Sequence, residues 1–178
     1  MLKLQGIAVS SGVTIGEALV LDSEGFRIPR RFVARSAVDT ELQRLSNAVA
    51  ESTAEIKKNR DAVRGELGEQ YAAIFDAHLA MLHDQRLQEE LTSAVRDRNW
   101  WPEYAVSRTL RRYAKVFQKL DNHIAQRAHD IYDIEKSLLR NLLGQRRETL
   151  ASISEPVVIL AHNLTPSETA NLDRRFVK

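Results

Sequence analysis

The sequence predicts a mainly α fold, an antiparallel helical bundle inserted into a small α/β unit made by the two ends of the chain. Three observations carry this. Gly6, Gly12, Gly16 and Gly25 crowd the start, and only Gly65, Gly68 and Gly144 follow. The long middle repeats apolar residues at helical spacing and is divided by short breaks, the pattern of antiparallel neighbours. Near the end, an apolar run of strand length is followed by a strong helix-start signal, which is a strand feeding a helix.

Residues 6–16 are loop-like with β-favouring side chains, and Glu17-Ala18-Leu19-Val20-Leu21 reads as a short buried strand. At Ser36-Ala37-Val38-Asp39 a helix is expected to begin, with the Ser36 hydroxyl as cap and Asp39 and Glu41 near the positive end of the dipole. Leu42, Val49, Ile56 and Val63 then recur every seven residues, with Leu45 and Leu67 on the same stripe and Thr53 its polar step. Gly65 and Gly68 are expected to interrupt this arm. Beyond them, Ala72, Phe75, Leu79 and Leu82 mark a second helix, and Leu87, Leu91 and Val95 a third that Asp84 can cap. Asn99-Trp100-Trp101-Pro102 breaks the run, and Pro102 can open the next helix without losing a hydrogen bond. That helix carries Val106, Leu110, Tyr113, Phe117 and Leu120. A last one, capped by Asp121, carries Ile124, Ala128, Ile131, Ile134, Leu138 and Leu142 and stops at Gly144. After it, Pro156-Val157-Val158-Ile159-Leu160-Ala161 is a buried-type strand, and Thr165-Pro166-Ser167-Glu168 has the cap, first-turn proline and reciprocal glutamate of a helix start. The expected organisation is therefore residues 1–22 and 152–178 in the α/β unit, with residues 36–144 as the bundle.

Composition narrows the function classes. With 43% hydrophobic and 28% charged residues the chain can build a core, and its lack of cysteine removes disulfides and thiolate zinc sites. No apolar run approaches the roughly 20 residues of a membrane span, and the start lacks a signal peptide's apolar centre, so a cytoplasmic protein without a membrane role is expected. The net charge is only +2, and Arg30-Arg31, Arg111-Arg112 and Arg146-Arg147 are short clusters separated by acids, so no nucleic-acid partner is expected.

The five histidines, His78, His83, His123, His129 and His162, form no metal-ligand spacing, so no metal site is expected. His162 follows a predicted strand, where α/β proteins place ligands, but a loop histidine at the sheet's end accounts for it equally simply. Thr165, Ser167 and Thr169 offer hydroxyls and N–H groups at a helix N-terminus, suited to an anion or simply to capping. Trp100 and Trp101 with Tyr104 could stack on a base or sugar, but adjacent residues point apart and at least one tryptophan should pack in the core.

The heptad Leu164-Thr165-Pro166-Ser167-Glu168-Thr169-Ala170 after its strand resembles the N-terminal half of Enzyme I, the phosphoenolpyruvate-protein phosphotransferase of the bacterial sugar phosphotransferase system. The opening from Gly6 to Ala18 is similar too, with Ser11 where a proline is usual. So are Ala73-Ile74-Phe75-Asp76-Ala77-His78 and Asp133-Ile134 followed by Leu138-Leu139-Arg140-Asn141-Leu142-Leu143-Gly144. The resemblance covers essentially the whole chain. It implies a helical bundle of the type that binds the phosphocarrier protein HPr, inserted in an incomplete form of the swivelling phosphohistidine domain.

In that family the accepting histidine lies in a Gly-Gly-x-x-Ser-His stretch shortly after the heptad, and this chain stops before it. The phosphoenolpyruvate- and magnesium-binding part of the family is also not matched. No catalytic residue and no cofactor is therefore expected on this chain, and it is not expected to be active alone. The resemblance instead implies an HPr-docking surface at Glu69, Gln70, Ala73, Asp76, His78, Ala80, Met81, Asp84, Arg86, Leu87, His123, Ile124 and Arg127. Ala80, Met81 and Leu87 would give it an apolar patch, and its carboxylates would face a basic carrier. Gln70 and Arg86 stand where the family often has glutamates. Thr169 resembles the threonine that supports the phosphohistidine. A helical adaptor of the same fold, without phosphotransfer, is the alternative, and the uncovered edges of the incomplete sheet give either version a route to self-association.

Overall fold

The computed structural model describes residues 13–21, 26, 28–120, 127–144, 155–161, 164–173 and 175–177. The chain is mainly helical, with a small parallel sheet made from its two ends. Strand β1 (Glu17–Leu21) pairs in parallel with β2 (Val157–Ala161), in a register that sets Glu17 against Val157 and Leu21 against Ala161. Parallel neighbours need a long crossover, and here the crossover is the entire bundle. On its other side Val157 bridges Val177, and the Val157 N–H donates to the Phe176 carbonyl at 2.7 Å.

The bundle begins with a 3-10 turn (Arg35–Ala37) and helix α1 (Val38–Leu67), 30 residues and about 45 Å long. Ser36 is not its cap. The helix starts two residues later, behind a turn closed by the Ala37 N–H donating to the Ala34 carbonyl at 2.8 Å. Gly65 does not interrupt it either, because one helical glycine costs only about 1 kcal/mol against alanine. The break comes at Gly68, whose φ of 98° and ψ of 170° only glycine adopts readily.

Helix α2 (Glu69–Leu82) folds back along α1, and the two form one of the most extensive contacts in the bundle. Helix α3 (Gln85–Arg96) starts where expected, with the Asp84 side chain accepting the Leu87 N–H at 3.0 Å. Helix α4 (Pro102–Phe117) opens with proline in its first turn and packs closely on α5 (Ala128–Leu143). Gly144, at φ 62°, stops α5. The expected Asp121 cap and Ile124 lie outside the described residues.

The core runs through Leu45, Ile56, Phe75, Leu82, Leu91, Leu110, Ile134 and Leu138. On α1 its face is rotated from the predicted stripe. Ala48, Ser52 and Asn59 are buried, Leu42 and Val49 are half-buried, and Leu67 is exposed. Two of the polar members are tied across the bundle: Asn141 Nδ2 donates to Ser52 Oγ at 2.9 Å, and Asn171 Nδ2 to Asn59 Oδ1 at 3.1 Å, while Asn59 Nδ2 has no partner among the described residues. Trp100 packs against the core but neither tryptophan is fully buried. The closing helix α6 (Pro166–Thr169) rests on α5.

Candidate functional site

The corner between α2 and α3 gathers most of the residues expected at the docking surface. Glu69, Ala73, Asp76 and Ala80 fall at helical spacing on the outer face of α2 and are exposed, as are Gln70, Asp84 and Arg86. Met81 is half-buried against the core. Two residues are turned away from this surface: His78 and Leu87 are 1% and 2% exposed, on the inner faces of their helices beside Phe75 and Leu91. Arg127 is exposed at the start of α5, while His123 and Ile124 lie outside the described residues.

Two acidic side chains of the corner, Glu69 and Asp76, are held by α1. Arg64 grips Glu69 through a two-bond fork, Nε to Oε2 at 2.6 Å and Nη2 to Oε1 at 2.8 Å. Arg60 Nη1 donates to Asp76 Oδ1 at 3.1 Å, and Arg64 Nη2 lies 3.9 Å from the other Asp76 oxygen. These pairs are exposed, so each contributes little to stability, and they fix where the carboxylates stand.

Behind the surface His78 links α2 to α5. Its Nε2 lies 3.4 Å from Asp130 Oδ1, without a well-aligned hydrogen bond among the described residues, and its Nδ1 lies 3.9 Å from Asp133 Oδ2. Arg127 Nη1 donates to the second Asp130 oxygen at 3.1 Å. A chain of contacts thus joins exposed Arg127 to buried His78. Burial pushes the Asp130 carboxyl up, but His78 and Arg127 outweigh it and hold the group below its ordinary range.

Asp133 faces a different segment. Its Oδ2 accepts the Ser167 N–H at 3.1 Å, which ties the first turn of α6 to α5. The predicted capping box is present: Thr165 Oγ1 accepts the Glu168 N–H at 3.2 Å, and Glu168 Oε2 accepts the Thr165 N–H at 2.9 Å. Lys136 Nζ donates to Glu168 Oε1 at 2.5 Å. Burial raises the Glu168 carboxyl, yet Lys136 and the Thr165 N–H together hold it low. These bonds already occupy the N–H groups of Ser167 and Glu168, so this terminus is a capped joint, not an open anion cradle. Thr169 is exposed, and its hydroxyl donates to the Thr165 carbonyl at 3.0 Å. His162 lies outside the described residues.

Sequence reasoning missed the structural roles of Asp130, Asp133 and Lys136. The signal was available: two carboxylates at i and i+3 beside Ile131 and Ile134 on an apolar stripe must be paired to be buried there. Among the described residues no group of three or more His, Asp or Glu is arranged to hold a metal ion, and no helix is long and apolar enough to cross a membrane.

Residues 5–127 match the family described as PEP-utilising enzyme, N-terminal. The chain belongs to that family. It is 37% identical over 177 residues to the phosphoenolpyruvate-protein phosphotransferase of Priestia megaterium, a match covering 99% of this chain and 30% of that protein. The chain thus spans about 30% of the length of the curated relatives it matches. An NMR structure of Enzyme I superposes with a TM-score of 0.76 at 29% identity, covering 91% of this chain and 66% of that one. The N-terminal domain of a nitrogen Enzyme 1 has the same fold, with a TM-score of 0.69 at 24% identity and the same coverages. The fold of this family member is therefore that of the Enzyme I N-terminal region.

Proposed function

We propose that this part of an Enzyme I protein docks the phosphocarrier HPr for phosphoryl transfer in the cytoplasmic sugar phosphotransferase system. The observation that carries the reading is the α2–α3 corner: within a chain matching Enzyme I over nearly its whole length, it presents exposed Glu69, Asp76 and Asp84 around Ala73, Ala80 and Met81. Carboxylates held in place by Arg60 and Arg64 would steer a basic carrier, and small side chains let two helices approach closely. His78 and Leu87 act from beneath, fixing the helices that carry the surface. Arg127 extends it onto α5, and His123 and Ile124, outside the described residues, are proposed as further carrier contacts.

In-line phosphoryl transfer depends on positioning and charge stabilisation, so a docking surface is itself functional machinery. On this reading the bundle aligns the carrier, and Thr169 supports the imidazole that bears the phosphoryl group. No cofactor is assigned to the residues of this chain, and phosphoenolpyruvate and magnesium chemistry belongs to the rest of the relatives' length.

The test is a titration of the isotope-labelled chain with HPr from the same organism. Amide shifts should concentrate at residues 69–86 and at Arg127, and reversing charge in the double variant Asp76→Lys, Asp84→Lys should weaken binding by about tenfold or more. Shifts confined to another face, or no binding, would overturn the docking assignment and leave a helical adaptor of the same fold.

A further inference from the structure

The tryptophan break supports an inference independent of the corner. Residues 30–33 run antiparallel beside residues 99–101: Phe32 and Trp100 form a bridge, the Val33 N–H donates to the Asn99 carbonyl at 2.7 Å, and the Trp101 N–H donates to the Arg31 carbonyl at 3.2 Å. Phe32 and Trp100, directly opposite each other, share a face. Arg30 and Arg98 lie against their rings, so the four side chains form one continuous surface. The Arg30 guanidinium carbon lies 5.0 Å from the Phe32 ring centroid, and that of Arg98 lies 5.1 Å from a Trp100 ring, which in turn meets Tyr104 edge-on at 5.0 Å. Arg31 covers Trp101 in the same way at 5.1 Å.

Unpaired arginines gather on this surface, three of them together, while exposed Arg35, Arg86, Arg96 and Arg108 also pair with no carboxylate among the described residues. Arg44, Arg60, Arg64, Arg111, Arg112 and Arg127 all reach carboxylates. Arg30, Arg31 and Arg98 are exposed and pair with no carboxylate among the described residues. The stretch from Phe26 to Val38 contains four arginines and no acid, and nearby Asp97 is engaged by the Ser93 hydroxyl at 2.7 Å. Phe32 is 59% exposed beside these unpaired cations.

We propose that this arginine–aromatic surface is a docking site for an acidic segment of a partner protein. A guanidinium held over a ring face can keep its N–H edge free, and that edge is the part that grips a carboxylate in a two-bond fork. Stacking also restrains the long side chains in advance, which lowers the entropy lost on binding. Nucleic acid fits less well, since the guanidiniums already cover the ring faces that bases would need. The surface lies at the far end of α3 from Asp84, about 18 Å along the helix, so it presents cations where the α2–α3 corner presents acids.

Of the chain's two tryptophans, Trp100 lies in this surface and Trp101 directly follows it, so intrinsic fluorescence reports on it. The full chain is titrated with a deca-glutamate peptide at low salt, and in parallel with a thymidine decanucleotide. A saturable change in tryptophan emission is expected with the peptide. It should weaken by about tenfold or more in the double variant Arg30→Ala, Arg98→Ala and survive in Arg112→Ala, whose partner Glu90 lies elsewhere. The double variant Arg30→Lys, Arg98→Lys, with equal charge and no fork, should bind more weakly than the parent. Far-ultraviolet circular dichroism checks that each variant is folded. No response to the peptide, equal responses in parent and alanine variant, or a response to the oligonucleotide alone would overturn the proposal.

Discussion

Replacing Asp133 tests how the bundle holds the chain's closing helix. Asp133 is nearly fully buried, and its Oδ2 both accepts the Ser167 N–H at 3.1 Å and stands 3.9 Å from His78 Nδ1. Asp133→Ala leaves the 4%-exposed Ser167 without its acceptor, and an unsatisfied buried N–H costs about 1–3 kcal/mol. Lys136 and Glu168, with Asn171 and Asn59, still hold α6 in place, so the loss should appear as local opening. At about 1.4 kcal/mol per tenfold, the Ser167 amide should exchange roughly 5- to 150-fold faster. Asp133→Asn keeps an acceptor oxygen and gives up only the charge-assisted part of the bond, so its effect should be the smaller one. Hydrogen exchange resolved at Ser167 and Glu168 measures the opening, and urea denaturation followed by Trp100 and Trp101 measures the bundle. Unchanged exchange at Ser167 in Asp133→Ala would refute the assignment of this carboxylate as the tie between α5 and α6.

Two further outcomes follow. Gly68→Ala should destabilise the chain by about 1–3 kcal/mol through backbone strain, since φ 98° disfavours any Cβ while nothing lies within 4 Å of the added atom; a urea midpoint equal to the parent's would contradict this. Asp130 is held below its ordinary value of 3.8, so its contribution to stability is fully present above that pH and fades as pH falls through the depressed folded value; Asp130→Asn should therefore show a flatter loss of stability below about pH 5, and parallel acid profiles would contradict it.

The parts of the fold that were legible in the sequence are those where a local rule acts alone. Asp84, Pro102, Gly144 and the Thr165–Glu168 box each satisfy a helix end from within a few residues, and each stands where its chemistry predicts. Ser36 misled because the Val38 N–H, one its hydroxyl could have capped, donates instead to the Arg35 carbonyl within the 3-10 turn. The face of α1 was harder to read because Ser52 and Asn59 are buried only through partners 89 and 112 residues away, which no periodic pattern encodes. The corner differs. Spacing places Ala73, Asp76 and Ala80 on one face, and it also sets His78 beside Phe75 and Leu82, and Leu87 beside Leu91, on the inner stripes, where the structure buries them against the resemblance's assignment to the docking surface.

The pairing of Glu17 with Val157 bears on the order in which the molecule assembles. The two residues are 157 − 17 = 140 positions apart, and closing so long a loop from an unfolded chain costs about 4 kcal/mol in entropy before the first ladder bond forms. Helices α1 to α5 fold through nearer contacts, and once packed they shorten the effective gap between the strands. Loop entropy thus favours an order in which the sheet zips last, after the bundle has brought its two strands together.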